Sequence, residues 1–161
     1  MFGYNKNLLV ILGFVSILFT GMNTAMAQSS EKQTQLSLYD RLGGLAPISV
    51  VVSDFIDVLV PDAFLNKNPA VDATRAQVPA SYLKYRVTAL VCSAAGGPCQ
   101  YQGLGMKESH ANLNITEPEW DHMVMLLKEV LAKHKVPAQE AKELLAIIDS
   151  TKADIVVSGR K

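Results

Sequence analysis

The most constraining feature of the sequence is the stretch from Thr116 to Pro137. Thr116-Glu117-Pro118-Glu119 has the form of a reciprocal helix cap, a threonine at the start and a glutamate three residues on that can return its hydrogen bond. Behind it Trp120, Met123, Val124, Leu127, Val130 and Leu131 recur at spacings of three and four, on one face of a helix that stops near Val136-Pro137. A helix with one apolar face is stable only when that face is packed against something else. The fold class therefore depends on what the rest of the chain supplies.

It supplies more helices. From Pro47, residues Ile48, Val51, Val52, Phe55, Ile56, Val58 and Leu59 follow the same period and end before Pro61. The consecutive valines would also suit a strand, but the run is longer than most strands. A third helix is expected from Ala80 to Ala95, with Leu83, Val87, Leu90 and Val91 on one side and Gly96-Gly97-Pro98 as its stop. Leu36 to Leu42 reads as a very short helix stopped by Gly43-Gly44, and Leu104 to Leu113 is long enough for two helical turns. A last helix carries Ala141, Leu144, Leu145, Ile147, Ile148, Ile155 and Val156. Between Pro61 and Pro79 three prolines break the period, which predicts an irregular connection with one short helical turn. With no sheet to pack on, helix packs on helix, and the expectation is one all-α domain over residues 36–157.

Composition agrees with a folded globule: 49% of residues are apolar and 19% charged. The beginning of the chain differs in kind. Lys6 is the only charge before Glu31, an apolar run extends from Leu8 to Phe19, and Ala25-Met26-Ala27 follows. That order of cation, short apolar run and small-residue site predicts a cleavable secretion signal over residues 1–27 and a periplasmic product, with no membrane attachment after cleavage. An uncleaved signal anchor is the competing reading, disfavoured because the run is short for a membrane span. Residues 28–35 read as a flexible polar segment and residues 158–161 as a polar tail. Losing Lys6 leaves 14 basic against 15 acidic residues, so no basic patch points to nucleic acid. Both cysteines flank one turn, Cys92 to Cys99; in an oxidising compartment this suits a disulfide, with two small buried apolar residues as the alternative.

Three histidines are candidate ligands. His122 and His134 are too far apart on one helix to share a metal, and polar neighbours suggest surface or helix-end positions. His110 stands in a short helix with Met106 one turn earlier and Leu113 nearly one turn later, which sets apolar groups beside an imidazole. Such a histidine is either a structural residue or a ligand. No HExxH, no zinc-spaced cysteines and no Gly-x-Ser-x-Gly are present. Ser109 adjoins His110, but adjacency on a helix is expected to point the two side chains apart.

The residues in order resemble a family. Leu38-Tyr39-Asp40-Arg41-Leu42-Gly43-Gly44, Val51-Val52-Ser53-Asp54-Phe55, Ala95-Gly96-Gly97-Pro98, Tyr101-Gln102-Gly103 and Met106-Lys107-Glu108-Ser109-His110 with Ile115-Thr116 behind it are similar to group 1 of the truncated haemoglobins. The resemblance implies a shortened globin-like helix-on-helix sandwich holding one haem b, with His110 as the iron ligand on its proximal side. Met106 would pack beside it and Lys107 would lie near a haem propionate. The haem would be bound without covalent attachment, since no Cys-x-x-Cys-His exists. Reversible binding of a diatomic gas, oxygen or nitric oxide, is implied. Turnover such as nitric-oxide dioxygenation or a peroxidase-like reaction lies within the family's range and would need an external reductant, because no flavin motif is present.

The sequence also departs from the family pattern. The tyrosine that usually follows the phenylalanine matching Phe55, and that hydrogen-bonds the gas, is Ile56 here. The family's Phe-Phe pair falls near Asn68-Pro69, leaving Phe64 as a substitute. Tyr82, Tyr85 and Arg86 lie at helical spacings, and the expectation is that Tyr82 or Tyr85 faces the iron and replaces the missing hydroxyl. The alternative is that these tyrosines only cover the haem edge. A second reading of the chain is a globin-like domain that has lost haem and serves as a binding or interaction protein.

Overall fold

The computed structural model describes residues 36–157, where all regular structure is helical. The signal assigned to residues 1–27, the segment 28–35 and the tail 158–161 lie outside the described residues. In order the helices are α1 (Leu38–Arg41), α2 (Leu45–Leu59), α3 (Pro69–Gln77), α4 (Ala80–Ala94), α5 (Met106–His110), α6 (Glu117–Lys133), α7 (Ala138–Asp149) and α8 (Lys152–Ile155), with a single 3₁₀ turn at Leu65–Lys67.

Local chemistry sets most boundaries. The Glu119 carboxylate accepts from both the backbone N–H and the hydroxyl of Thr116 at 2.7 Å, which opens α6 as its sequence requires. Ser37 caps α1 by accepting the Asp40 N–H at 3.1 Å. Gly43, Gly44 and Gly96 take φ of 88°, 84° and 84°, the left-handed region in which a side chain is strained, and so end α1 and α4.

The core forms around α2, which packs on α4 and on α6. Ile48, Val52 and Ile56 of α2 meet Val91, Leu127, Leu131 and Leu144 in one cluster, with Leu38 of α1 joined to it. Burial of each such side chain contributes roughly 1.5–3 kcal/mol. Ionic ties join the ends: Arg41 on α1 holds Glu140 at 2.9 Å and also Glu143 on α7, and Asp54 on α2 accepts from Lys133 at 2.7 Å and His134 at 2.8 Å. Tyr39 folds over Gly97, where an added Cβ would run into the ring and lie 2.8 Å from the Cys92 carbonyl oxygen. Cys92, fully buried, is bonded to Cys99, with their Cα atoms 5.8 Å apart.

Several expectations change. The connection from Pro61 to Pro79 contains a nine-residue helix, α3, because Asn68 caps it and Pro69 occupies its first position, where no N–H is needed. The last helix is two: the Ser150 and Thr151 hydroxyls donate to the Ile147 and Ile148 carbonyls at 2.6 and 2.7 Å, and the chain breaks there before α8. The two turns expected between Leu104 and Leu113 reduce to the single turn of α5.

Candidate functional site

α5 is too short to hold itself in place, and its position is set by its neighbours. It packs on α8, and the Val157 N–H donates to the Ile115 carbonyl at 2.9 Å, so the residues after α8 pin the segment that follows His110. Within α5, His110 Nδ1 lies 2.8 Å from the Met106 carbonyl oxygen one turn back. A carbonyl only accepts, so Nδ1 carries the proton and the lone pair is left on Nε2. Ser109 Oγ donates to the Gly105 carbonyl at 2.8 Å and sits 2.9 Å from Nδ1, where it can share the same ring N–H. Sequence reasoning expected Ser109 and His110 to point apart; the short serine side chain instead folds back toward the start of its own helix. The fixed tautomer is the one that ligation through Nε2 requires.

His110 lines a cavity of about 250 Å³. Leu59 and Val60 at the end of α2, Leu65 in the 3₁₀ turn and Leu83 of α4 form one wall. Trp120 and Met123 of α6, with Ile155 of α8, form another, and Leu113 and Ile115 lie on the chain just after the imidazole. Val71, Thr74, Arg75 and Val78 bring in α3. Polar groups are few. The Glu119 carboxylate is occupied by Thr116, Asn66 Nδ2 donates to the Val60 carbonyl at 3.0 Å, and Thr74 and Arg75 are solvent-exposed and so belong to the rim.

The turn that carries Leu65 is braced from α6. Asp62 accepts the N–H groups of Phe64 and Leu65 at 2.9 and 2.8 Å and the His122 Nε2–H at 3.0 Å, while the Phe64 ring packs on the His122 imidazole at 4.6 Å. Burial alone would push the Asp62 carboxyl up, but the bonds from His122, Leu65 and Phe64 outweigh it and hold the group below the ordinary carboxylate value. His122 and His134 are thus partly buried and paired with aspartates, not the surface residues their polar neighbours suggested, although His134 does close α6.

The residues singled out from the sequence separate. His110 lines the cavity, and Met106 contributes the carbonyl that orients it. Lys107 is exposed on α5 and is not among the lining residues. Ile56 is 2% exposed within the core cluster. Phe55 lines a different, larger cavity of about 340 Å³ bounded by α2, α4, α6 and α7, whose own histidine, His134, has Nε2 taken by Asp54. Phe64 is 40% exposed against His122. Tyr82 and Tyr85 are 47% and 66% exposed, with Arg86 stacked on both rings and its Nε–H donating to the Tyr82 hydroxyl at 2.9 Å. Neither tyrosine, one of which was expected to face the iron, lines the cavity: α4 turns Leu83 to it and leaves Tyr82 and Tyr85 exposed. Leu83 and the α3 residues were missed, and only the helical register beginning at Pro79 could have located the former.

The family model described as bacterial-like globin matches residues 37–157. A group 1 truncated hemoglobin of Nostoc commune is 32% identical over 124 residues, covering 74% of this chain and 97% of that protein. Another, from Chlamydomonas moewusii, is 24% identical over 135 residues, 83% of this chain and 75% of its own length. Among solved structures, the truncated hemoglobin of Tetrahymena pyriformis in its Fe(III) form superposes with a TM-score of 0.62 at 21% identity, over 75% of this chain and 98% of that one. A lone imidazole with its Nε2 free in an apolar cavity thus lies within a helical frame matched along nearly the whole domain, and the chain belongs to the bacterial-like globins as a group 1 truncated haemoglobin.

Proposed function

We propose that this protein is an exported haem b protein that binds a diatomic gas, oxygen or nitric oxide, at iron held by His110. Family membership implies haem and a gas ligand; the choice of His110 rests on the bond from its Nδ1–H to the Met106 carbonyl, which aims the Nε2 lone pair away from the backbone. The residues present fit the cofactor. An apolar cavity suits a flat apolar macrocycle, and the free Nε2 of the imidazole in its lining suits the iron. When bound, haem supplies the metal on which the gas exchanges. Everything else is done by the chain: α5 and its brace from α8 orient the imidazole, Trp120, Met123 and Leu113 exclude water, and Leu59, Leu65 and Leu83 face the remaining space with hydrocarbon.

Attachment is non-covalent in this reading, since both cysteines are bonded to each other and none adjoins a histidine. Export is supported by the signal-like order of residues 1–27 and by a disulfide that suits an oxidising compartment. Any turnover draws electrons from an external reductant. The test is spectroscopic: the purified chain with one equivalent of hemin should develop an intense Soret band, and His110→Ala should weaken or shift it. A protein that stays colourless with excess hemin is instead the haem-free binding protein that the altered Ile56 position also permits.

A further inference from the structure

The one sizeable packing contact of α3 is with the 3₁₀ turn directly before it. A nine-residue helix is well below the ~12–15 residues at which even favourable sequences become marginally helical alone in water. In folded proteins such helices are held by a buried apolar stripe, yet none of the α3 residues is buried. A cavity-facing row exists nonetheless: the half-buried Val71 and, just past the helix end, Val78, with the exposed Thr74 and Arg75 between them at spacings of three and four, all line the cavity that contains His110. One end is anchored. Asn68 caps the helix by accepting the Ala70 and Val71 N–H groups at 3.0 and 3.4 Å, and its Nδ2 donates to the Leu113 carbonyl at 2.9 Å, beside the imidazole. The rest of the helix borders the cavity, and its cavity-facing row gains further packing from what fills it.

Charge says which edge of the occupant it meets. Arg75 is the only lysine or arginine among the lining residues, and it is solvent-exposed at the rim. Its sole ionic partner among the described residues is Asp72, through Nη2 at 2.5 Å, in a pair whose side chains are 40% and 51% exposed. An exposed pair of this kind is worth little, and the guanidinium keeps other donors for a second carboxylate. Haem carries its two carboxylates on one edge, and the cost of burying unpaired charge would keep that edge at the solvent rim of an apolar cavity. We infer that α3 is a cofactor-dependent wall of the haem site and that Arg75, not Lys107, is the cation that pairs with a haem propionate. This inference rests on the reading that the cavity holds haem.

The experiment follows haem loss and amide exchange in the loaded protein. Hemin binding should slow hydrogen exchange across residues 71–78 by about tenfold or more, because the helix acquires a packed face. Arg75→Gln should release hemin to an excess of a haem-scavenging apoprotein about three- to tenfold faster at low salt, the difference shrinking as salt is raised. Hemin dimethyl ester, which lacks the carboxylate charges, should leave both proteins at equal rates, which separates lost charge from disturbed folding. Unchanged exchange over residues 71–78 together with equal hemin loss from both proteins overturns the inference while leaving haem binding intact. Failure to take up hemin at all would instead remove the reading beneath it.

Discussion

Replacing Asp62 with Ala tests how the cavity wall is held. The carboxylate accepts three hydrogen bonds, from the Phe64 and Leu65 N–H groups and from His122, and its side chain is 16% exposed. Bonds to a charged acceptor contribute about 1.5–3 kcal/mol each when buried. Water can reach this rim and re-satisfy some donors, so the total for Asp62→Ala should be about 2–3 kcal/mol rather than the sum of three bonds. Asp62→Asn keeps an acceptor oxygen and should cost about 1 kcal/mol. The pH dependence has a defined sign. The carboxyl is held below its ordinary value in the folded protein, so its contribution is present above the unfolded value, about 4, and is lost as pH falls through the folded one. Urea unfolding at pH 7 and again near pH 3 measures this, and the gap between wild type and Asp62→Ala should narrow at the lower pH. Equal midpoints at pH 7, or a gap that is as wide at pH 3, would refute the brace.

Other consequences follow from the packing. Gly97→Ala forces a Cβ against the Tyr39 ring and the Cys92 carbonyl and should destabilise by about 1–3 kcal/mol in thermal or urea unfolding. Reducing the Cys92–Cys99 bond opens a short loop and should lower stability by about 2–3 kcal/mol, measured by urea midpoints with and without reductant. Leu127→Ala, at a position 6% exposed in the core cluster, should cost about 2–5 kcal/mol by the same measurement. Asp54, whose carboxyl is lowered by the bonds from Lys133 and His134 against the effect of burial, should add to the acid lability below about pH 4, so Asp54→Asn should flatten that limb of the stability profile.

Much of the fold could be read from residues whose effect is local. The Thr116–Glu119 cap and the stop at Gly96 need no knowledge of the rest of the chain, and both appear where expected. α3 was hidden because proline has two meanings. Pro61 and Pro79 end or separate elements, whereas Pro69 behind Asn68 begins one, and α3 carries too little apolar surface to announce itself by period. The break after Asp149 was hidden because apolar spacing continues through it while the Ser150 and Thr151 hydroxyls divert the backbone. At the candidate site, the apolar surroundings of His110 were legible from Met106 and Leu113 at helical spacing, but the opposite wall of the cavity was not. Whether Tyr82 or Leu83 looks inward is a matter of one residue of helical phase, which is fixed by tertiary contacts of α4 with α2.

The bond between Val157 and Ile115 makes one end of the domain answerable for the segment behind the imidazole. The cluster gathered round α2 draws on α1, α4, α6 and α7 but on no residue of α8. α5 instead meets α8, and the backbone just beyond His110 is tied to Val157. Fraying of that final tie therefore loosens the shelf under the imidazole while the hydrophobic centre stays intact.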